Sequence, residues 1–142
     1  MKKQLLIVGL WVCSGMLCQP VQAQSVDKAN EEYKMFVRLN NENGDKGTLY
    51  STLYSCYKEY VAVLSSLKPG NPSYDQAKSA LRDIYPYLQQ GAIYNSQKGS
   101  QQNALLLAQA YIDVPLMEAF RTEPFPKDND YPTMVSFAAS GT

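Results

Sequence analysis

The sequence contains no histidine. That removes the commonest general base and the commonest transition-metal ligand. Cysteine is nearly as scarce, with three in 142 residues, and two of them, Cys13 and Cys18, fall within the first 18 positions. The single tryptophan, Trp11, lies in the same stretch. A basic excess is also missing: 13 Lys and Arg stand against 13 Asp and Glu. Nothing offers the positive charge that neutralises a phosphate backbone, so nucleic acid is not an expected partner. No apolar run reaches the roughly 20 residues that span a bilayer, since the longest, Leu5 to Cys18, is about 14. Glycines are scattered, and no phosphate-cradling loop appears.

That apolar run has a different meaning. It follows Met1-Lys2-Lys3 and precedes Val21-Gln22-Ala23. A basic start, an apolar centre and small residues before a cut are the three parts of a secretory leader. Residues 1–23 are expected to be removed after Ala23, leaving 24–142 as one exported domain, periplasmic or associated with the cell envelope. Val12 before Cys13 and Leu17 before Cys18 suit lipid attachment poorly. Without Lys2 and Lys3 the mature part has 11 basic and 13 acidic side chains. Only Cys56 then remains, so no disulfide can form within the chain, and stability must come from packing.

What is abundant is tyrosine: eleven, all beyond residue 24. The apolar pattern is helical throughout. Val26, Ala29, Tyr33, Phe36 and Val37 mark a first helix over 25–41, and a polar loop with Gly44 and Gly47 comes next. Tyr50, Leu53, Tyr54, Tyr57, Tyr60, Val61 and Leu64 mark a second helix over 48–67, with a stripe wide enough to be covered on more than one side. Lys68-Pro69-Gly70-Asn71-Pro72 ends it. Ser73 and Gln76 have capping-box spacing, against a competing start at Asn71-Pro72. Ala77, Leu81, Ile84 and Leu88 form the third stripe. Pro86 is expected to break that helix near Tyr85, with a short helix running from Pro86 to about Ser96. A fourth helix begins at Ser100, and its uncharged run Ala104 to Ile112 is expected at the centre of the core. Pro115 is expected to kink it or to divide it from Leu116–Phe120. Glu123 to Asp130 is a proline-stiffened loop, and Tyr131 opens a last short apolar helix. So short a helix needs a further partner or must dock back onto the fourth; the array is expected to be incomplete at its C-terminus.

Ala104, Leu107, Ala108 and Tyr111 have the spacing of the first helix of a tetratricopeptide repeat, and Lys68 to Ala77 is similar to the junction between two repeats. The chain thus resembles the N-terminal helical part of exported tetratricopeptide-like proteins of Gram-negative envelopes. The resemblance covers about 40 residues. It departs from the motif after Tyr111, where Phe120, Pro124 and Lys127 stand in place of the second helix's pattern. It implies an all-α fold of antiparallel helical hairpins stacked as an array, a binding scaffold with no catalytic residue.

Candidate chemistry is thin. Cys56 reads as a buried, inert thiol, because no base stands by to activate it. Asp27, Glu31 and Glu32 read as a solvated helix terminus. Glu42 with Asp45, and Asp128 with Asp130, lack calcium-loop spacing. No catalytic, cofactor-binding or metal-ligating residue is assigned, and no cofactor is expected. The row Tyr50, Tyr54, Tyr57, Tyr60 reads as core. Tyr85, Tyr87 and Tyr94, flanking the expected Pro86 break, are the candidate ligand-binding residues, because irregular positions expose side chains. The expected function is non-enzymatic binding of a peptide or protein partner in the envelope. The alternatives are a glycan-binding helical protein of an outer-membrane uptake system and an accessory region of a larger exported enzyme.

Overall fold

The computed structural model describes residues 18–122 and 131–140, with side chains described over residues 26–122 and 132–137. The expected leader up to Leu17 and the expected loop 123–130 lie outside the described residues. Among those described the protein is all-helical. The helices are α1 (Cys18–Asn41), α2 (Lys46–Ser66), α3 (Pro72–Gln97), α4 (Gln101–Asp113) and α5 (Tyr131–Ser140), with two 3₁₀ turns, Val114–Leu116 and Glu118–Phe120, after α4. None is long and apolar enough to cross a membrane.

Each helix packs on the next, and α1 also touches α3. The α2 helix lies between α1 and α3, as its wide stripe requires: Leu49, Tyr50, Leu53, Cys56, Tyr57, Tyr60 and Val63 are all buried. On α3 the buried residues Ala77, Leu81, Ile84 and Leu88 recur at helical spacing. The four residues that carry the repeat resemblance, Ala104, Leu107, Ala108 and Tyr111, are all buried on α4. The small side chains let neighbouring helices approach, and the Tyr111 ring stacks on Tyr85 with centroids 4.4 Å apart.

The local signals explain the ends. The Asp45 carboxylate accepts from the Thr48 N–H at 2.8 Å and caps α2. At the start of α3 the competing signal prevails over the capping box. Asn71 is the N-cap, its side chain accepts from the Ser73 N–H, and Pro72 fills the first turn, where its missing N–H costs nothing. Gly99 ends the α3 turn at φ +81°, and the Ser100 N–H donates to the Asn95 carbonyl at 2.8 Å, the bond pattern of a left-handed helix stop. Pro115 divides α4 from the second 3₁₀ turn, as its fixed φ and absent donor predict.

Four expectations require correction. First, α3 runs unbroken through Pro86. Pro86 sits on the exposed side of the helix while Ile84, Tyr85 and Leu88 are buried around it. The N–H that proline lacks is therefore missing on the solvent side, and packing of the inner face outweighs the defect. Second, Val37 is 38% exposed. The α1 helix meets neighbours on one side only, so its buried stripe ends with Phe36 in that turn. Third, α1 covers Cys18–Asn41 among the described residues and so extends upstream of Ser25. In the full chain Asp27, Glu31 and Glu32 lie inside α1, whereas removal of residues 1–23 would place them in its first turns; Glu31 pairs with Lys34 at 2.9 Å. Fourth, the run Ala104 to Ile112 is core on one side only: Ala104, Leu107, Ala108, Ala110 and Tyr111 are buried, while Leu106 is 36% exposed.

The last helix docks back. Contacts join α5 to α4, and Met134 is buried in the common core.

Candidate functional site

The largest described depression is a groove of about 560 Å³ between α1 and α3, lined by Asn30, Tyr33 and Lys34 from one helix and Gln76 and Asp83 from the other, with Tyr60 of α2 beneath. Its size is within the range of ligand-binding clefts. The residues reach it by helical spacing. On α1, Asn30, Tyr33 and Lys34 stand at i, i+3 and i+4; on α3, Gln76, Ser79, Ala80 and Asp83 stand at i, i+3, i+4 and i+7. These polar rows run beside the buried stripes, so the two helices present them to each other once their apolar faces meet on α2.

The groove is tied together by hydrogen bonds. The Tyr60 hydroxyl donates to Asn30 Oδ1 at 2.7 Å, and Asn30 Nδ2 donates to Gln76 Oε1 at 3.3 Å. The Tyr33 hydroxyl donates to Asp83 Oδ2 at 3.2 Å. Two of these bonds bridge α1 to α3, and the third fixes Asn30 from below. The Tyr33 and Tyr60 rings meet edge to face, 6.4 Å apart.

Electrostatics keep both phenols protonated. Burial first, and then the Asp83 carboxylate, raises the Tyr33 pKa. Burial also raises that of Tyr60. A phenol that holds its proton donates a hydrogen bond but is a poor base or nucleophile. Among the described residues, Asp83 is the only carboxylate lining the groove. The surface is therefore built for polar recognition, with donors, acceptors, one cation on Lys34 and one anion on Asp83.

Chemistry elsewhere is equally restrained. Cys56 is fully buried, and burial pushes its thiol up to about 12. Its Sγ faces the Ala29 carbonyl at 4.0 Å. Asp45 is occupied as a helix cap, bonded to both the Thr48 N–H and the Thr48 hydroxyl, which lower its pKa. Asp128 and Asp130 lie outside the described residues. Among the described residues, no group of three or more Cys, Asp or Glu is placed to hold a metal.

The three tyrosines expected to bind ligand do not come together. Tyr85 is 4% exposed and faces α4, stacked on Tyr111. Tyr87 meets Phe36 of α1 edge to face at 5.2 Å. Tyr94 meets Tyr50 of α2 at 5.4 Å. The helix continues through Pro86, so these side chains keep helical spacing and reach three different neighbours instead of sharing one exposed face. The row on α2 is core as expected for Tyr50, Tyr57 and Tyr60, with Tyr54 half-buried. Asn30 and Asp83 carry no motif, and Gln76 carries only capping-box spacing from Ser73. Their signal is a polar row flanking an apolar stripe, and it becomes a site only once α1 is known to touch α3.

No family model, curated protein or solved structure matches the chain.

Proposed function

We propose that the protein is an exported helical scaffold of tetratricopeptide type that holds a peptide or protein partner in the α1–α3 groove and catalyses no reaction. The observation that carries this reading is the groove itself. Two helices separated in sequence by α2 meet over it and turn polar rows toward one another. In a stacked array of helical pairs, the first helix of each pair touches the first helix of the next, and such faces form the binding surface. The order of contacts here supports that arrangement, with α1 and α3 as first helices and α2 and α4 as their antiparallel partners. The envelope location rests on the leader-like residues 1–23.

An extended peptide suits the groove. Its backbone N–H and C=O groups need acceptors and donors along a line, and Asn30, Tyr33, Gln76 and Asp83 supply both kinds. The test is a titration of the protein with a panel of extended peptides, and in a second arm with oligosaccharides, read by NMR at the Asn30 and Gln76 side-chain amides. Saturable shifts confined to the groove with peptides support the scaffold. Shifts with oligosaccharides alone move the reading to a glycan-binding protein. In parallel, N-terminal sequencing of protein from the envelope fraction is expected to begin at Gln24.

A further inference from the structure

A second, smaller cavity lies where α2, α3 and α4 converge, away from the groove. Its volume is about 90 Å³, and its walls include Tyr50, Tyr54, Leu106 and Leu107, with Asn95 and Asn103 as polar groups. The helices are unusually close at its edge. A Cβ on Gly91 would lie 2.8 Å from Tyr50 Cδ1 and 2.9 Å from Leu107 Cδ1, so only glycine lets α3 approach both neighbours.

Asn95 is the residue that needs explaining. It is the one buried polar side chain among the described residues, at 8% exposure. Its Nδ2 donates to the Gly91 carbonyl at 2.9 Å. That uses one of its two N–H groups and leaves the carbonyl oxygen and the other N–H as the edge it can offer to a ligand. Asn95 lines the cavity, so water there meets the rest of the amide, and a ligand that displaces this water must supply a matching polar group.

We propose that this cavity binds the acetamido group of an N-acetylated amino sugar. The volume sets the first limit. A cavity of about 150 Å³ accommodates benzene, so the smaller space here suits a group of a few heavy atoms rather than an aromatic ring. The walls set the second. A bare alkyl group would leave the Asn95 amide unmatched, and an ion would lose its hydration against tyrosine and leucine. An acetamido group places a methyl against Tyr50 and Leu107 and an amide against Asn95. Asn103, exposed at the mouth, is placed to meet the carbonyl. The half-buried Tyr54 ring, held by stacking on Tyr57, lines the cavity and stands beside the sugar ring outside.

The cavity shares no residue with the α1–α3 groove, so the two readings stand or fall separately. The probe is N-acetylglucosamine, titrated into the protein by NMR beside glucosamine, glucose and the peptide analogue N-acetylalanine methylamide. Saturable shifts at the Asn95 side-chain amide and at Tyr50 and Leu107, with N-acetylglucosamine alone, are expected. Asn95→Leu should weaken binding by at least about tenfold, as expected for an unmatched amide. Should that buried change disturb the fold, Leu106→Trp alters only an exposed rim position, and its indole should block the mouth to the same degree. Equal binding of glucose or glucosamine would overturn the acetamido group. Equal binding of the peptide analogue would overturn the sugar. Undiminished binding by the Leu106→Trp protein, or shifts confined to the α1–α3 groove, would overturn the site.

Discussion

The seam between α2, α3 and α4 and the groove between α1 and α3 are built from the same residue type to opposite ends. In the seam, Tyr50, Tyr57, Tyr85 and Tyr111 bury their rings, and Tyr85 lies flat on Tyr111. In the groove, Tyr33 and Tyr60 turn their hydroxyls to Asp83 and Asn30. Tyr60 does both at once: its ring is fully buried on α2 while its hydroxyl is the floor of the groove. The difference is not in the residue or its spacing. It lies in what the neighbouring helix presents: Leu107 and Tyr111 at the seam, Gln76 and Asp83 at the groove. A tyrosine row on one helix is therefore core or binding surface only by virtue of its partner.

The largest expected effect is the response to alkaline pH, which reads how dry the packing around α2 is. Burial pushes the Cys56 thiol and the Tyr57 phenol each up to about 12, above their ordinary values of 9.0 and 10.0. Between those limits the unfolded chain has released protons that the folded chain still holds. The stability these groups contribute is therefore complete below about pH 9, declines first through Cys56, falls more steeply once phenols ionise, and is gone as pH rises past about 12. Urea midpoints measured across this range should fall with each step, and phenolate absorbance should rise together with unfolding. Phenolate signals appearing for Tyr57 near its ordinary value while the fold persists would remove it from the dry core.

The same contrast decides how much is legible in the sequence. Periodicity marks the stripes of α2, α3 and α4, because each apolar face must be buried whatever covers it. Breaks are legible when nothing opposes them: Pro115 ends α4, and Gly99 ends the turn after α3. Pro86 misleads because its cost is local while its compensation comes from α1, α2 and α4, through Phe36, Tyr50 and Tyr111, which hold Tyr87, Tyr94 and Tyr85 in helical register. Tyr85, Tyr87 and Tyr94 would share an exposed face only if the helix broke there. The groove is the least legible part. Gln76 has capping-box spacing from Ser73, and Asn30 and Asp83 look like ordinary solvated positions. Their meeting depends on the approach of α1 to α3, which no single segment encodes.

A mutation in the seam should be the next largest effect. Tyr111→Ala removes a fully buried ring and its stacking partner contact, and should cost about 3–5 kcal/mol, the range for emptying an aromatic core site. The drop in urea midpoint measures it. Tyr33→Ala, on the half-buried face of α1, should cost clearly less. Equal losses at the two positions would mean that the groove is part of the core and not a surface held open.

The smallest stability change should carry the most information about the groove. Tyr33→Phe keeps the ring and its edge-to-face contact with Tyr60 and deletes only the hydroxyl that donates to Asp83. That bond lies at the surface, where water replaces the lost partner, so folding should weaken by no more than about 1 kcal/mol. Binding is a different matter. With a partner in the groove, water is displaced from Asp83, and the carboxylate must then be matched within the complex. Losing its phenol donor at that point should lower affinity by about fivefold to tenfold, the equivalent of one hydrogen bond. Parallel measurements of the urea midpoint and of peptide affinity separate the two effects. A fall in affinity at constant stability assigns Tyr33 to recognition, because a purely structural hydroxyl would weaken the fold and leave affinity, measured on folded protein, where it was.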